Sequence, residues 1–135
     1  MNYSPMPLCI KSVLRDALTV YGLTFAGAIG SAIAGLNMQT NPSTAYLTNL
    51  FSGAIGFAME GIRVSAHRAE YMAWVAVVFW IFNLTNMVLG IQTYAAWVHS
   101  GVTIIIMAVL GSAFATVLSP FSNTMRSLCP PAKTE

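Results

Sequence analysis

The stretch "GLTFAGAIGSAIAG", residues 22–35, places Gly, Ala or Ser at helical spacing. Gly22, Ala26, Gly30 and Ala34 fall four apart, and so do Gly27, Ser31 and Gly35. Residues four apart share one face of an α-helix, so the segment carries two adjacent ridges with almost no side chain. In lipid, apolar side chains gain little by leaving their solvent. Helices there associate through close backbone approach and a few polar bonds. Each added atom pair contributes only ~0.1–0.2 kcal/mol, but a bare ridge makes many such pairs. The stretch therefore predicts a membrane-spanning helix. One ridge would receive another helix of the same chain and the other a neighbouring subunit. Gly53 and Gly56 repeat a shorter version of this surface in the next apolar segment.

The charges agree with a lipid setting. Only 7% of the 135 residues are charged, 56% are hydrophobic, and the mean hydropathy is +0.68. Soluble domains carry about 25% charged residues. No Asp, Glu, Lys or Arg occurs from 17 to 59 or from 71 to 125. A spanning helix needs about 20 apolar residues, so each block holds two spans and a turn. "NMQTNPST" (37–44), with helix-stopping Pro42, marks the first turn, and "IQTYAAWVHS" (91–100) the second.

The expected fold is all-α: a polytopic membrane protein built as a four-transmembrane-helix bundle of two helical hairpins. Spans are predicted at 17–36, 45–62, 71–91 and 98–119 within one transmembrane domain, 17–120. A cytoplasmic segment, 1–16, precedes it and a cytoplasmic tail, 121–135, follows. Lys11, Arg15, Arg63, Arg68, Arg126 and Lys133 all then fall on one side, which the positive-inside rule makes cytoplasmic. The orientation is N-in, C-in. Cys9 and Cys129 fall on the same side and are expected as reduced thiols. The opening residues also read as a signal peptide cleaved after Ala34; the long leading segment with its Asp16 favours a retained span.

The catalytic inventory is thin. His67 and His99 are expected on opposite sides of about 30 Å of hydrocarbon, too far apart to share a haem or metal. No Cys/His cluster has zinc spacing, and no glycine loop suits a phosphate. Six basic residues beside a membrane do not make a nucleic-acid site. No cofactor, metal, nucleic-acid partner or enzymatic activity is expected. The heptapeptide "AHRAEYM" (66–72) is similar to a loop of the four-span glutathione and eicosanoid enzymes. Ala69 stands where that motif has Asn, and two spans follow rather than three, so nothing is carried over from it.

Polar residues inside the spans are the remaining candidates. Asn49, Gly53, Gly56, Glu60, Arg63 and His67 follow steps of three and four, one stripe of a helix. The stripe reads either as an ion or proton pathway ending at Glu60 or, preferred here, as a Glu60–Arg63 pair at the headgroup boundary. Asn83 and Asn86 read as a polar lining or, preferred again, as interhelical hydrogen bonds averaging about 0.6 kcal/mol. The function expected from these features is that of a non-catalytic membrane subunit, packing through its small-residue faces against copies of itself or other membrane subunits in the lipid bilayer. The alternative is a small oligomeric transporter, channel or holin-like pore with a polar path near Asn49, Glu60, Asn83 and Asn86. A bacterial inner membrane or an organelle inner membrane is the expected location.

Overall fold

The computed structural model describes residues 9–36, 41–64 and 67–118, all of whose regular structure is helical. The tail 121–135, with Arg126, Cys129 and Lys133, lies outside the described residues, as do 37–40 of the first turn. The elements are α1 (Ile10–Ile33), α2 (Pro42–Ile62), α3 (Arg68–Phe82), α4 (Leu84–Val88) and α5 (Tyr94–Leu118).

Local chemistry sets the helix ends, and several differ from the sequence reading. α1 starts at Ile10, inside the segment 1–16 assigned to the cytoplasm, because its buried face continues backward through Val20, Ala17 and Val13. Gly35 was expected on a packing ridge but lies beyond the helix. Its φ of 75° is the left-handed turn that glycine adopts freely. The Gly35 N–H bonds the Ala32 carbonyl (3.1 Å) and the Leu36 N–H that of Ser31 (2.8 Å), a glycine-terminated helix end. Pro42 opens α2, where its missing N–H has no helical partner to lose.

The third predicted span, 71–91, corresponds to two consecutive helices, α3 and α4, that meet at Asn83. The backbone N–H and side-chain amide of Asn83 both donate to the Phe79 carbonyl, at 3.1 and 3.2 Å. α3 ends there, and α4 ends at Val88, followed by a turn at Gly90, whose φ is 71°. α5 begins at Tyr94, earlier than the predicted turn allows, with the Thr93 hydroxyl accepting the Ala96 N–H (3.2 Å).

In the ring of long helices, α1 neighbours α2, α2 neighbours α5, α5 neighbours α3, and α3 returns to α1. The α2–α5 contact is the most extensive and is built from small residues. A Cβ at Gly111 would lie 2.7 Å from the Ala54 carbonyl oxygen, and one at Gly61 would lie 2.8 Å from the Ala115 Cβ. The core inside the ring holds Val13, Ala17, Val20, Phe57, Tyr71, Val75, Phe79 and Met107, among others.

Among the described residues three stretches are long and apolar enough to cross a membrane: Ile10–Ile33, Arg68–Val88 and Tyr94–Leu118. Their outward faces are apolar too; Leu18, Phe25, Ile33, Val102, Ile105 and Val109 are all exposed. Soluble monomers rarely expose contiguous apolar patches beyond a few hundred Å². The described residues are thus all-helical and have the character of a membrane protein. α2 is not among the three stretches. Its inward residues, including Gly53, Gly56, Glu60 and Gly61, are small or polar and dilute its apolarity. Its outward residues Leu47, Phe51, Ile55 and Met59 nonetheless form an apolar stripe at four-residue spacing.

Candidate functional site

The buried polar chemistry gathers where α1, α2 and α3 meet, at the end of the ring that carries Arg15, Arg63 and Arg68. Asp16 is 2% exposed, and Glu60 and Tyr71 are 0% exposed. The Tyr71 hydroxyl donates to Asp16 Oδ2 at 2.6 Å, a length typical of hydroxyl-to-carboxylate bonds. Arg15 Nε and Nη2 both reach Asp16 Oδ1, at 2.8 and 2.7 Å. On α2, Arg63 Nη1 donates to both Glu60 oxygens, at 3.0 and 2.8 Å. Asp16 and Glu60 lie within electrostatic reach of each other.

The arginines enter this site from outside. Their side chains are 56% (Arg15) and 41% (Arg63) exposed, so each stem lies along the bundle while its head stays near the surface. The carboxylates are thus shielded yet paired, which is how buried charge is tolerated. The Glu60–Arg63 pair anticipated from sequence is present, but Glu60 is sequestered inside the bundle rather than sitting at an open boundary.

A second polar group lies farther along the bundle. Tyr21 donates to Asn86 Oδ1 (3.1 Å), and Asn86 Nδ2 donates to Asn83 Oδ1 (3.2 Å). This chain ends on the Phe79 carbonyl. Asn83 is 12 positions from Tyr71, about 18 Å along the chain at 1.5 Å per residue. Val20, Phe57, Val75 and Phe79, all buried, occupy the interval. Asn49 is half-buried on α2, about 16 Å from Glu60 by the same rise. Of the four residues grouped as a polar path, Asn83 and Asn86 are thus bonded together, and apolar core separates them from Glu60. The stripe drawn through Glu60 to His67 also breaks, because α2 ends at Ile62. His67 instead starts α3 in a left-handed conformation (φ 52°).

The small-residue faces divide. Gly27 packs onto Ser52 of α2, and Ser31 is buried. Gly56 faces Val20 of α1, with backbone 3.3 Å from a Cβ placed there, and Gly53 faces Met107 of α5. On the other ridge, Gly22, Ala26, Gly30 and Ala34 are exposed, and a Cβ at Gly22 or Gly30 would meet nothing within 4 Å.

Sequence reasoning missed Asp16 and Tyr71. Stepping back from Ser31 and Gly27 along their face leads through Thr24 and Val20 to Asp16 and Val13, so the signal for Asp16 was present. Among the described residues no group of three or more His, Cys, Asp or Glu is placed to hold a metal ion. No protein-family model matches the chain, and no curated protein or solved structure matches it.

Proposed function

We propose that the protein is a four-span, non-catalytic membrane subunit that assembles with copies of itself or with other membrane subunits through the Gly22–Ala26–Gly30–Ala34 ridge. The observation that carries this reading is the unequal treatment of the two ridges of α1. Gly27 is covered by Ser52 of α2 and Ser31 is buried, whereas Gly22 and Gly30 have open space above them. A ridge stripped of side chains and left facing lipid forfeits dispersion contacts that a second helix would supply. The apolar stripe Leu47–Phe51–Ile55–Met59 supports α2 as the fourth span. Arg15, Arg63 and Arg68 at one end support a cytoplasmic placement of that end. A bacterial or organelle inner membrane suits this arrangement.

Complex size in mild detergent tests the proposal. Gly30→Leu should fold, because its side chain enters open space, and should run smaller than the parent, because overpacking an interface costs about 1–3 kcal/mol. Gly27→Leu, directed at Ser52, should instead lower the yield of folded protein. A Gly30→Leu protein of parental size would refute the proposal.

A second reading, a small ion- or proton-coupled transporter, draws on the two buried carboxylates, since ionisable groups inside membranes are costly and commonly functional. Its test is flux in reconstituted vesicles. Asp16→Asn and Glu60→Gln should each abolish transport if the acids carry it.

A further inference from the structure

α3 and α5 are tied at their two ends and parted between them. At one end, Trp80 and Trp97 stack with ring centroids 4.4 Å apart and planes 8° from parallel. Each indole N–H donates to the other residue's backbone carbonyl, at 3.1 and 3.2 Å. At the other end, Arg68 Nη1 donates to the Thr116 hydroxyl at 3.0 Å and Arg68 Nε to the Val64 carbonyl at 2.9 Å. Between these ties runs a groove of about 730 Å³, bounded by Ala69, Ala73 and Ala76 on α3 and by Gly101, Ala108 and Ser112 on α5. Larger apolar residues, among them Met72, Val77, Val102 and Ile105, complete the lining, and the trough opens sideways to the bilayer.

Its dimensions and charge select an occupant. Along the lining, α3 advances about 16 Å from Ala69 to Trp80 and α5 about 21 Å from Val98 to Ser112, at least the depth of one leaflet of a hydrocarbon core about 30 Å thick. A helix with its side chains is about 10–12 Å across and cannot lie lengthwise in a trough closed at both ends. A flexible hydrocarbon chain can. Arg68 adjoins the lining residue Ala69 at the arginine-bearing end of the groove and reaches across that end to Thr116. Among the described residues Arg68 donates to two neutral oxygens, whereas Arg15 and Arg63 are paired to carboxylates. A guanidinium offers planar, forked donors suited to a phosphate.

We infer that the α3–α5 groove holds one acyl chain of an anionic phospholipid from the leaflet at the arginine-bearing end, with the lipid phosphate on Arg68. The Trp80–Trp97 pair closes the groove where the chain ends.

Tryptophan quenching by brominated lipids tests this. Trp74→Phe protein, which keeps Trp80 and Trp97 at the closed end, is reconstituted in phosphatidylcholine vesicles. A minor fraction of brominated-chain phosphatidylglycerol or brominated-chain phosphatidylcholine is then added. The expected result is about a fivefold preference for the anionic lipid, equivalent to ~1 kcal/mol, the scale of one basic residue at an anionic surface. Arg68→Gln should remove the preference and Arg68→Lys should retain most of it. Ala73→Phe should reduce quenching by both lipids. Equal quenching by the two lipids, or a preference that survives Arg68→Gln, would overturn the inference. So would weak quenching by both lipids together with crosslinking of two copies across the groove.

Discussion

Replacing Tyr71 by Phe tests the tie between α1 and α3. The ring stays in the core, where Tyr71 is fully buried, and only the hydroxyl is lost. That hydroxyl donates to Asp16 Oδ2 at 2.6 Å across 55 positions of sequence. Hydrogen bonds to charged groups contribute about 1.5–3 kcal/mol, whereas polar contacts in a membrane bundle average about 0.6 and reach about 1.7 kcal/mol. The membrane figures are low because the unfolded chain also finds partners for its polar groups. Here Arg15, the adjacent residue, can hold Asp16 Oδ1 in either state, but the Tyr71 bond requires the assembled helices. The structure therefore supports a value between the two ranges, about 1.5–2 kcal/mol, or a ten- to thirtyfold change in the unfolding equilibrium at 1.4 kcal/mol per decade. Reversible unfolding by sodium dodecyl sulfate in mixed micelles, followed by circular dichroism, measures it. A double-mutant cycle of Tyr71→Phe with Asp16→Asn isolates the pair. A coupling energy below about 0.5 kcal/mol would mean that the folded protein does not make this bond.

Two further outcomes are expected in the same assay. Glu60→Gln should cost about 0–1 kcal/mol, because the half-exposed Arg63 can turn to solvent or headgroups. Arg63→Gln should cost more, roughly 2–3 kcal/mol, because it strands a sequestered carboxylate; the value falls below the 3–5 of a fully buried pair because the arginine itself is partly exposed. Equal costs would show that the burial of Glu60 is not maintained. Gly111→Ala should destabilise by about 1–3 kcal/mol, since its Cβ would meet the Ala54 carbonyl at 2.7 Å and the Ala58 nitrogen at 2.9 Å, both backbone atoms. Gly22→Ala, with open space around it in the single chain, should stabilise by up to about 1 kcal/mol through helix propensity. The same sign for both substitutions would contradict the α2–α5 packing.

The helical, membrane-directed character of the chain was legible in its long charge-free blocks, and the two ridges of α1 in the four-residue spacing of small residues. Asp16 was harder to place. A charge near an apolar run ordinarily marks the end of a span, and reading it so put the residue outside the helix. The fold draws it inward because Arg15 and Tyr71 supply its oxygens with donors, and Tyr71 comes from a distant part of the chain. The break at Asn83 follows from competition between an amide side chain and the helix backbone for one carbonyl, which apolar periodicity does not register. Gly61 and Gly111 resemble other glycines in apolar runs; only their neighbours, Ala115 on α5 and Ala54 and Phe57 on α2, make them contact points.

These contacts show different means of joining helices in an apolar solvent. α1 with α2, and α2 with α5, meet through glycines at Gly27, Gly56, Gly61 and Gly111, where backbone approach maximises dispersion. The α1–α3 join uses a polar bond, Asp16 to Tyr71, and ring contacts of Tyr21 with Phe79 and Phe82, each at 6.2 Å between centroids. The α3–α5 join relies on a tie at each end, Trp80–Trp97 and Arg68–Thr116, with space between. Where glycine lines both sides, lipid has no room to enter. Where bulky rings and an arginine join two helices at their ends, an opening remains between them. The bare outer ridge of α1 is the converse case, a surface suited to backbone contact that no helix among the described residues covers. On this argument α1 and the α3–α5 groove place different demands on the bilayer. Substitutions on the ridge should change the size of the assembly while sparing lipid selectivity, and those in the groove should do the reverse.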